Sequence, residues 1–275
     1  LWAGGVAGLS LSGDGQVVGY WDRNQPRLTH QEFGARVSFE DVETGTNDSH
    51  ATQMVGTVLA NGTDSLARGI ANEANIEAYN WKNDIAEMAQ AASNRLTTST
   101  HPYAETAGWT SSSTVCGNDL AWAWYSLESE DSTKAYQFGY YDSQAQYWDS
   151  VAYMAPQYLI VKAAGNAKGK GPESQPIKHW KVDSFLNCYQ DSTSVRELNG
   201  GIDGYESING SSISKNILVV GAVESTSDNF DDIESINIKS YSGFGPTDDG
   251  RIKPDLVAPT DFYTTNSVSD ISYSN

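Results

Sequence analysis

The sequence predicts an α/β domain whose mostly parallel central sheet is covered by helices on both faces. Three observations predict it. Short β-branched runs recur along the chain, each stops at a polar or glycine-rich corner, and helical patterns lie between them. Parallel strands require helix-covered faces because each crossover lays a helix against the sheet. At 275 residues, 39% of them hydrophobic, the chain has ample core-forming material for one such domain. No internal repeat or low-complexity linker divides it, so one continuous domain over 1–275 is the expectation.

The strand runs are Gln16 to Trp21, Asn75 to Tyr79, Tyr158 to Lys162 and Ile217 to Val220. A first helix is predicted over His50 to Ala60, with Asp48 or Ser49 as its N-cap. A second runs over Trp81 to Asn94, with Ile85, Met88, Ala89 and Ala92 at helical spacing. Between about 109 and 154 aromatics crowd the chain, among them Trp122, Trp124, Tyr125, Tyr140, Tyr141 and Trp148. Such residues can stack on sugars or peptides. Their large buried areas favour packing of an insertion. Ligands of open parallel sheets bind beyond the carboxyl ends of the strands, so the corners after the strands are where chemistry is expected.

The formal charge is −18, from 17 basic and 35 acidic residues, which disfavours nucleic acid as a partner. The acidic excess reads as a solvated surface. Some of it could hold a structural Ca²⁺, a hard cation that takes several oxygen ligands. Asp228, Asp231 and Asp232 form one such run, but a lone run assigns no metal position. No stretch approaches the roughly eighteen apolar residues of a membrane span. The chain opens at Leu1 without an initiator Met, as a processed or a trimmed N-terminus would. Cys116 and Cys188 either pair, closing a long loop for roughly 4 kcal/mol, or stay apart. No Cys/His spacing suggests zinc.

Four segments in a fixed order carry the chemistry. Val18-Gly19-Tyr20-Trp21-Asp22 ends an apolar strand in a carboxylate. Asp48-Ser49-His50-Ala51-Thr52-Gln53-Met54-Val55-Gly56-Thr57 opens a helix with a histidine backed by small residues. Val161-Lys162-Ala163-Ala164-Gly165-Asn166 ends a strand in a small-residue corner and a side-chain amide. The fourth runs from Ser242 through Gly245-Pro246-Thr247-Asp248-Asp249-Gly250-Arg251-Ile252-Lys253-Pro254-Asp255 to Pro259. Taken singly, Asp22 reads as a strand-end turn, His50 as a surface helix start and Asn166 as an ordinary turn. Their order is what departs from chance.

This set resembles the subtilisin-like serine peptidases, and the resemblance runs from Val17 to Pro259. Gly69-Ile70-Ala71-Asn72-Glu73-Ala74-Asn75-Ile76 adds to it. Trp21-Asp22, His30-Gln31-Glu32-Phe33 and Lys215-Asn216-Ile217-Leu218 look most like the KP-43-like secreted bacterial branch. The resemblance implies a three-layer subtilisin-like fold and a secreted serine endopeptidase acting on protein or peptide substrates. It implies that Asp22 orients His50, that His50 is the general base, and that Asn166 donates to the oxyanion. Thr100, Tyr103 and Ala104 would lie beside an extended substrate, with Ala164 and Gly165 completing the wall of the primary pocket. Glu105, placed at that pocket's rim, would favour a basic side chain. His30 and His101 lie outside the motif positions and are expected to be structural.

The pattern is broken in places. Asp22 is followed by Arg23-Asn24 instead of small residues, Ala51 replaces a glycine, Gln53 replaces a second histidine, and Thr260 replaces a glycine. No Gly-Thr-Ser occurs, and Ser267, Ser269, Ser272 and Ser274 lack that context. The nucleophile and its helix are therefore expected beyond residue 275, so that 1–275 is an incomplete catalytic domain, inactive alone. A companion C-terminal fragment of the same protein would supply the rest. The competing expectation is a non-catalytic relative, a pseudoprotease that binds peptides or a partner protein. A carbohydrate-binding module would show stacked-strand repeats and no triad, and no GxSxG or HExxH points to another hydrolase class.

Overall fold

A computed structural model describes residues 9–41, 45–113, 115–126, 133–224 and 236–275. The strands and helices, in chain order, begin with β1 (Val17–Asp22), β2 (Val37–Phe39), α1 (Ser49–Leu59), β3 (Asn75–Asn80), α2 (Asp84–Ser93) and β4 (Thr98–His101). There follow β5 (Gly108–Ser113), β6 (Gly117–Tyr125), α3 (Ser143–Met154), β7 (Leu159–Ala163), β8 (His179–Val182) and β9 (Cys188–Asp191). The last are β10 (Leu218–Val223), β11 (Leu256–Pro259), β12 (Thr264–Thr265) and β13 (Tyr273–Ser274). These residues form two compact units. The first holds 1–103, 151–161 and 261–275, and the second holds 104–150 and 162–260.

In the first unit the strand order is β2-β3-β1-β4, with the start of β7 (159–161) next to β4. β1 is parallel to β3, from Val17 opposite Asn75 to Asp22 opposite Asn80, and parallel to β4, with Tyr20 opposite Thr100. β2 is parallel to β3 as well. The buried face of α1 (Ala51, Thr52, Val55, Gly56, Leu59) lies on this sheet, in a core with Tyr20, Phe33, Val37, Ile76 and Ala78. Arg36 satisfies the helix's last carbonyl, donating from Nη1 to Leu59 O at 2.8 Å. At Gly56 any Cβ would collide with Thr265 Oγ1, and Thr265 itself donates to Thr52 O at 2.6 Å. The glycine is there so that β12 can lie against the helix. The second predicted helix begins later than its pattern suggested. Trp81–Asn83 form a 3₁₀ turn capped by Asn80, and the α-helix starts at Asp84.

Glu32 is fully buried but fully answered. Its Oε2 accepts from the amides of Gly62 (2.8 Å) and Thr63 (3.1 Å), and its Oε1 from the Asp64 amide (2.9 Å) and the Tyr273 hydroxyl (2.6 Å). Burial alone would raise this carboxyl, but the four donors outweigh it and hold it below the usual range.

In the second unit a four-stranded sheet has the order β5-β6-β8-β9, with β6 parallel to β8 and the outer pairs antiparallel. Cys116 and Cys188 are joined in a disulfide with Cα atoms 5.6 Å apart. Trp109, Trp124 and Trp148 are buried, and Trp109 meets the rings of Trp124 and His179 edge-on at 5.2 and 4.7 Å. Tyr140 is exposed, so packing claims most but not all of these aromatics. β10 and β11 are parallel. The Asp149 carboxylate holds the approach to β10, accepting from the amides of Lys215 (2.8 Å) and Asn216 (2.7 Å) and from the Tyr141 hydroxyl (2.7 Å). In the fourth segment Arg251 Nη1 donates to Ile213 O at 2.7 Å and Lys253 Nζ pairs with Asp255 at 2.7 Å. Its charged residues serve the fold.

Candidate active site

Strand alternation places Tyr20 and Asp22 on one face of β1 and Trp21 on the other. Trp21 anchors the strand end. Its ring is stacked between Tyr79 (4.4 Å) and His101 (4.9 Å), and its Nε1 donates to Glu87 Oε2 at 2.9 Å. On the opposite face Asp22 is 2% exposed. Its Oδ1 accepts from the Arg23 amide at 2.7 Å. Its Oδ2 accepts from the Tyr20 hydroxyl at 2.5 Å and lies 2.6 Å from His50 Nδ1.

His50 stands in the first turn of α1, whose N-cap is Asp48. Asp48 Oδ1 accepts from the Ala51 amide at 3.1 Å, and its Oδ2 pairs with Arg23 Nη2 at 2.6 Å. Burial pushes the Asp48 carboxyl up, but the hydrogen bonds from Arg23 and the helix amide hold it below its ordinary value. A carboxylate at Nδ1 makes that nitrogen the donor and leaves the lone pair on Nε2. Nε2 has no hydrogen-bond partner among the described residues, and 47% of the side chain is exposed. The bond to Asp22 raises the imidazole pKa above its usual value. Burial opposes this, Asp48 adds to it, and the Arg23 guanidinium opposes it. An oriented imidazole with an outward lone pair can accept a proton from a hydroxyl.

Gln53, one turn further on, donates from Nε2 to Ser274 Oγ at 2.8 Å, so this departure from the resembled pattern fastens α1 to β13. His30 is buried, with Nε2 2.9 Å from Ser272 O, and His101 is buried with Nε2 2.8 Å from Ser99 Oγ. Thr100 is half-buried in β4, and the Tyr103 hydroxyl donates to Asp84 at 2.7 Å.

Asn166 belongs to the second unit, exposed in the bend after β7. The corner before it is tight. Gly165 has φ +91°, and a Cβ there would lie 3.1 Å from Ala104 Cβ. The Gly243 amide donates to Gly165 O at 2.9 Å, and a Cβ on Gly243 would come within 2.7 Å of Ala164 O. Ala104, Ala164 and Gly165 are thus brought together in this unit. Glu105 departs from its expected rim. Ser211 donates to its Oε1 at 2.5 Å, and its Oε2 is buried without a partner, so the carboxylate turns into the unit. Among the described residues no three His, Cys, Asp or Glu side chains gather to hold a metal ion. Asp228, Asp231 and Asp232 lie outside the described residues. No described helix is long and apolar enough to cross a membrane.

Sequence reasoning missed Tyr20 as a neighbour of the pair, read Arg23 only as unusual bulk and charge at the site's rim, and saw Asp48 only as a cap. The spacing of Tyr20, two residues before Asp22 on one strand, was the available signal.

The protein is of the α/β class with a mostly parallel sheet, a fold it shares with a cold-adapted subtilisin-like serine proteinase. That likeness has a TM-score of 0.51 at 15% identity, over 96% of this chain and 69% of the other. Weaker likenesses are to the self-cleaved protease domain of PatA and to a serine protease of Aeromonas sobria. The first has a TM-score of 0.49 at 14% identity over 94% and 72% of the two chains, the second 0.45 at 15% over 86% and 36%. The family model for Peptidase S8, the subtilase family, matches residues 24–274. The chain belongs to the subtilase family. The match spans His50 and Asn166 and begins two residues after Asp22. Among curated proteins no sequence matches it. Family and fold together support a peptidase.

Proposed function

We propose that the protein is a secreted serine endopeptidase in which Asp22 and His50 form the base of an Asp-His-Ser triad. The observation that carries this is the 2.6 Å contact of Asp22 Oδ2 with His50 Nδ1, which leaves Nε2 as acceptor. In this reading Nε2 takes the proton of a serine hydroxyl as its oxygen attacks the peptide carbonyl. The proton then passes to the leaving amine, and water hydrolyses the acyl-enzyme by the same route. Asn166 donates to the oxyanion, for about 3 kcal/mol of transition-state stabilisation. Thr100, Tyr103, Ala104, Ala164 and Gly165 bind the substrate backbone and primary side chain. No serine of 1–275 stands in the Gly-Thr-Ser context, so the reading assigns the nucleophile to none of them.

The Cys116–Cys188 disulfide supports an oxidising, extracellular setting. Assignment to the KP-43-like branch rests on the three segments that carry that likeness, and a structural Ca²⁺, at no assigned position, belongs to the same reading. Treating the intact protein with a fluorophosphonate probe tests the enzyme reading. Covalent labelling that is lost in His50→Ala supports it. An unlabelled intact protein would instead fit a peptide-binding pseudoprotease.

A further inference from the structure

The carboxylate of Asp22 receives one donor more than orientation of His50 requires. Its Oδ2 faces both the His50 ring at 2.6 Å and the Tyr20 phenol at 2.5 Å, while Oδ1 is occupied by the Arg23 amide. Tyr20 is fully buried and Asp22 nearly so, which leaves no room for water to compete at that oxygen. Tyr20 sits in the core with Phe33, Val55, Leu59 and Ile76, and β1 is paired on both sides, so the phenol is rigidly placed.

We propose that Tyr20 is a positioning residue for the Asp22–His50 pair: its hydroxyl fixes the carboxylate and, by sharing Oδ2 with the imidazole, moderates how strongly Asp22 holds a proton on His50. The inference rests on the reading of His50 as general base, and it concerns how that base is tuned.

The chemistry follows from the donor count. A carboxylate oxygen that accepts two strong hydrogen bonds spreads its charge over both. A phenol that stays neutral is a permanent donor. Burial pushes the Tyr20 hydroxyl well above its ordinary pKa and the adjacent Asp22 adds to this, so it keeps its proton. The other charged groups facing His50 are Asp48, which favours the imidazolium, and Arg23, which opposes it. Neither touches the oxygen that Tyr20 and His50 share. Without the phenol, Oδ2 would turn its full acceptor strength on Nδ1–H, and His50 would hold its proton to higher pH.

The test is an NMR titration of the His50 ring protons in the intact protein, with the resonance assigned by its loss in His50→Gln. Tyr20→Phe keeps the ring and removes only the hydroxyl. The expected result is an upward shift of the His50 midpoint by about half a pH unit or more. Site-specific 3-fluorotyrosine at position 20, a stronger donor of nearly the same shape, should move the midpoint downward. It also serves if the Phe variant folds poorly. Opposite shifts are the signature of a shared acceptor, which lost packing would not produce. A midpoint unmoved by either substitution overturns the proposal. Because the titration needs no turnover, this failure is distinct from an absence of fluorophosphonate labelling, which would count against the peptidase reading.

Discussion

Arg23 Nη2 lies 2.6 Å from Asp48 Oδ2, and the amide of the same arginine donates to Asp22 Oδ1 at 2.7 Å. One residue thus links the end of β1 to the cap of the helix that carries His50. The arginine that looked like unusual bulk beside Asp22 is a clamp between the elements that carry the two halves of the pair. Its side chain is 61% exposed, so the ion pair contributes only about 0–1 kcal/mol to stability. Arg23→Ala should therefore leave the denaturant midpoint almost unchanged, while removal of a charge that opposes the imidazolium raises the His50 titration midpoint. A large loss of stability with no movement of His50 would contradict this.

Asp48→Ala removes the side chain that accepts from the Ala51 amide. Loss of an N-cap costs about 1 kcal/mol, and denaturant unfolding should register it. Asp48→Asn, which keeps an acceptor oxygen, should recover most of the loss. No difference between the two variants would deny the cap its energetic role.

Glu32 gives the first unit a defined acid sensitivity. Its folded pKa is lowered, so the stability it contributes is present above the unfolded value of about 4.3 and is lost as pH falls through the folded value. His50 has the opposite sign. Its raised pKa contributes stability below about 6.5, and this fades as pH rises through the folded value. Glu32→Gln should flatten the acid side of the stability curve and cost about 2 kcal/mol at neutral pH through weakened hydrogen bonds to three amides and a phenol. Unfolding midpoints measured from pH 3 to 8 would reveal an unchanged slope if the carboxylate were unimportant.

Gly56→Ala should destabilise by about 1–3 kcal/mol, since the new methyl meets Thr265 Oγ1 where β12 crosses α1. Thr265→Ala in the same chain removes that oxygen and should recover part of the loss. Thermal unfolding of the single and double variants decides the matter, and strict additivity would deny the contact.

Much of this arrangement was legible in the sequence. Three of the four strand runs appear within one residue of their pattern, the fourth runs on from Val220 to Val223, and Asp48 caps α1 as its position before His50 suggested. β8 and β9 were not legible. His179-Trp180-Lys181-Val182 and Cys188-Tyr189-Gln190-Asp191 lack a sustained apolar alternation, and the pairing of β8 with β6 and of β9 with β8 is fixed by non-local contacts and a disulfide joining residues 72 apart. Helix periodicity also could not separate the 3₁₀ turn at Trp81–Asn83 from the α-helix after it, because the local cap at Asn80 decides that boundary. At the candidate site, residue type and order picked out Asp22 and His50. That Tyr20 and His50 share one carboxylate oxygen depends on distances across 28 to 30 positions of chain, which no periodicity encodes. The inward turn of Glu105 depends likewise on Ser211, 106 residues away.

The most direct test of the central claim is the rate of fluorophosphonate labelling of the intact protein as a function of pH, compared with Asp22→Asn. The predicted wild-type rate rises as His50 loses its proton, with a midpoint above about 6.5 because Asp22 holds that proton. Asp22→Asn should label about 10⁴-fold more slowly, with the imidazole in the wrong tautomer. Equal labelling rates in the two proteins would contradict the account.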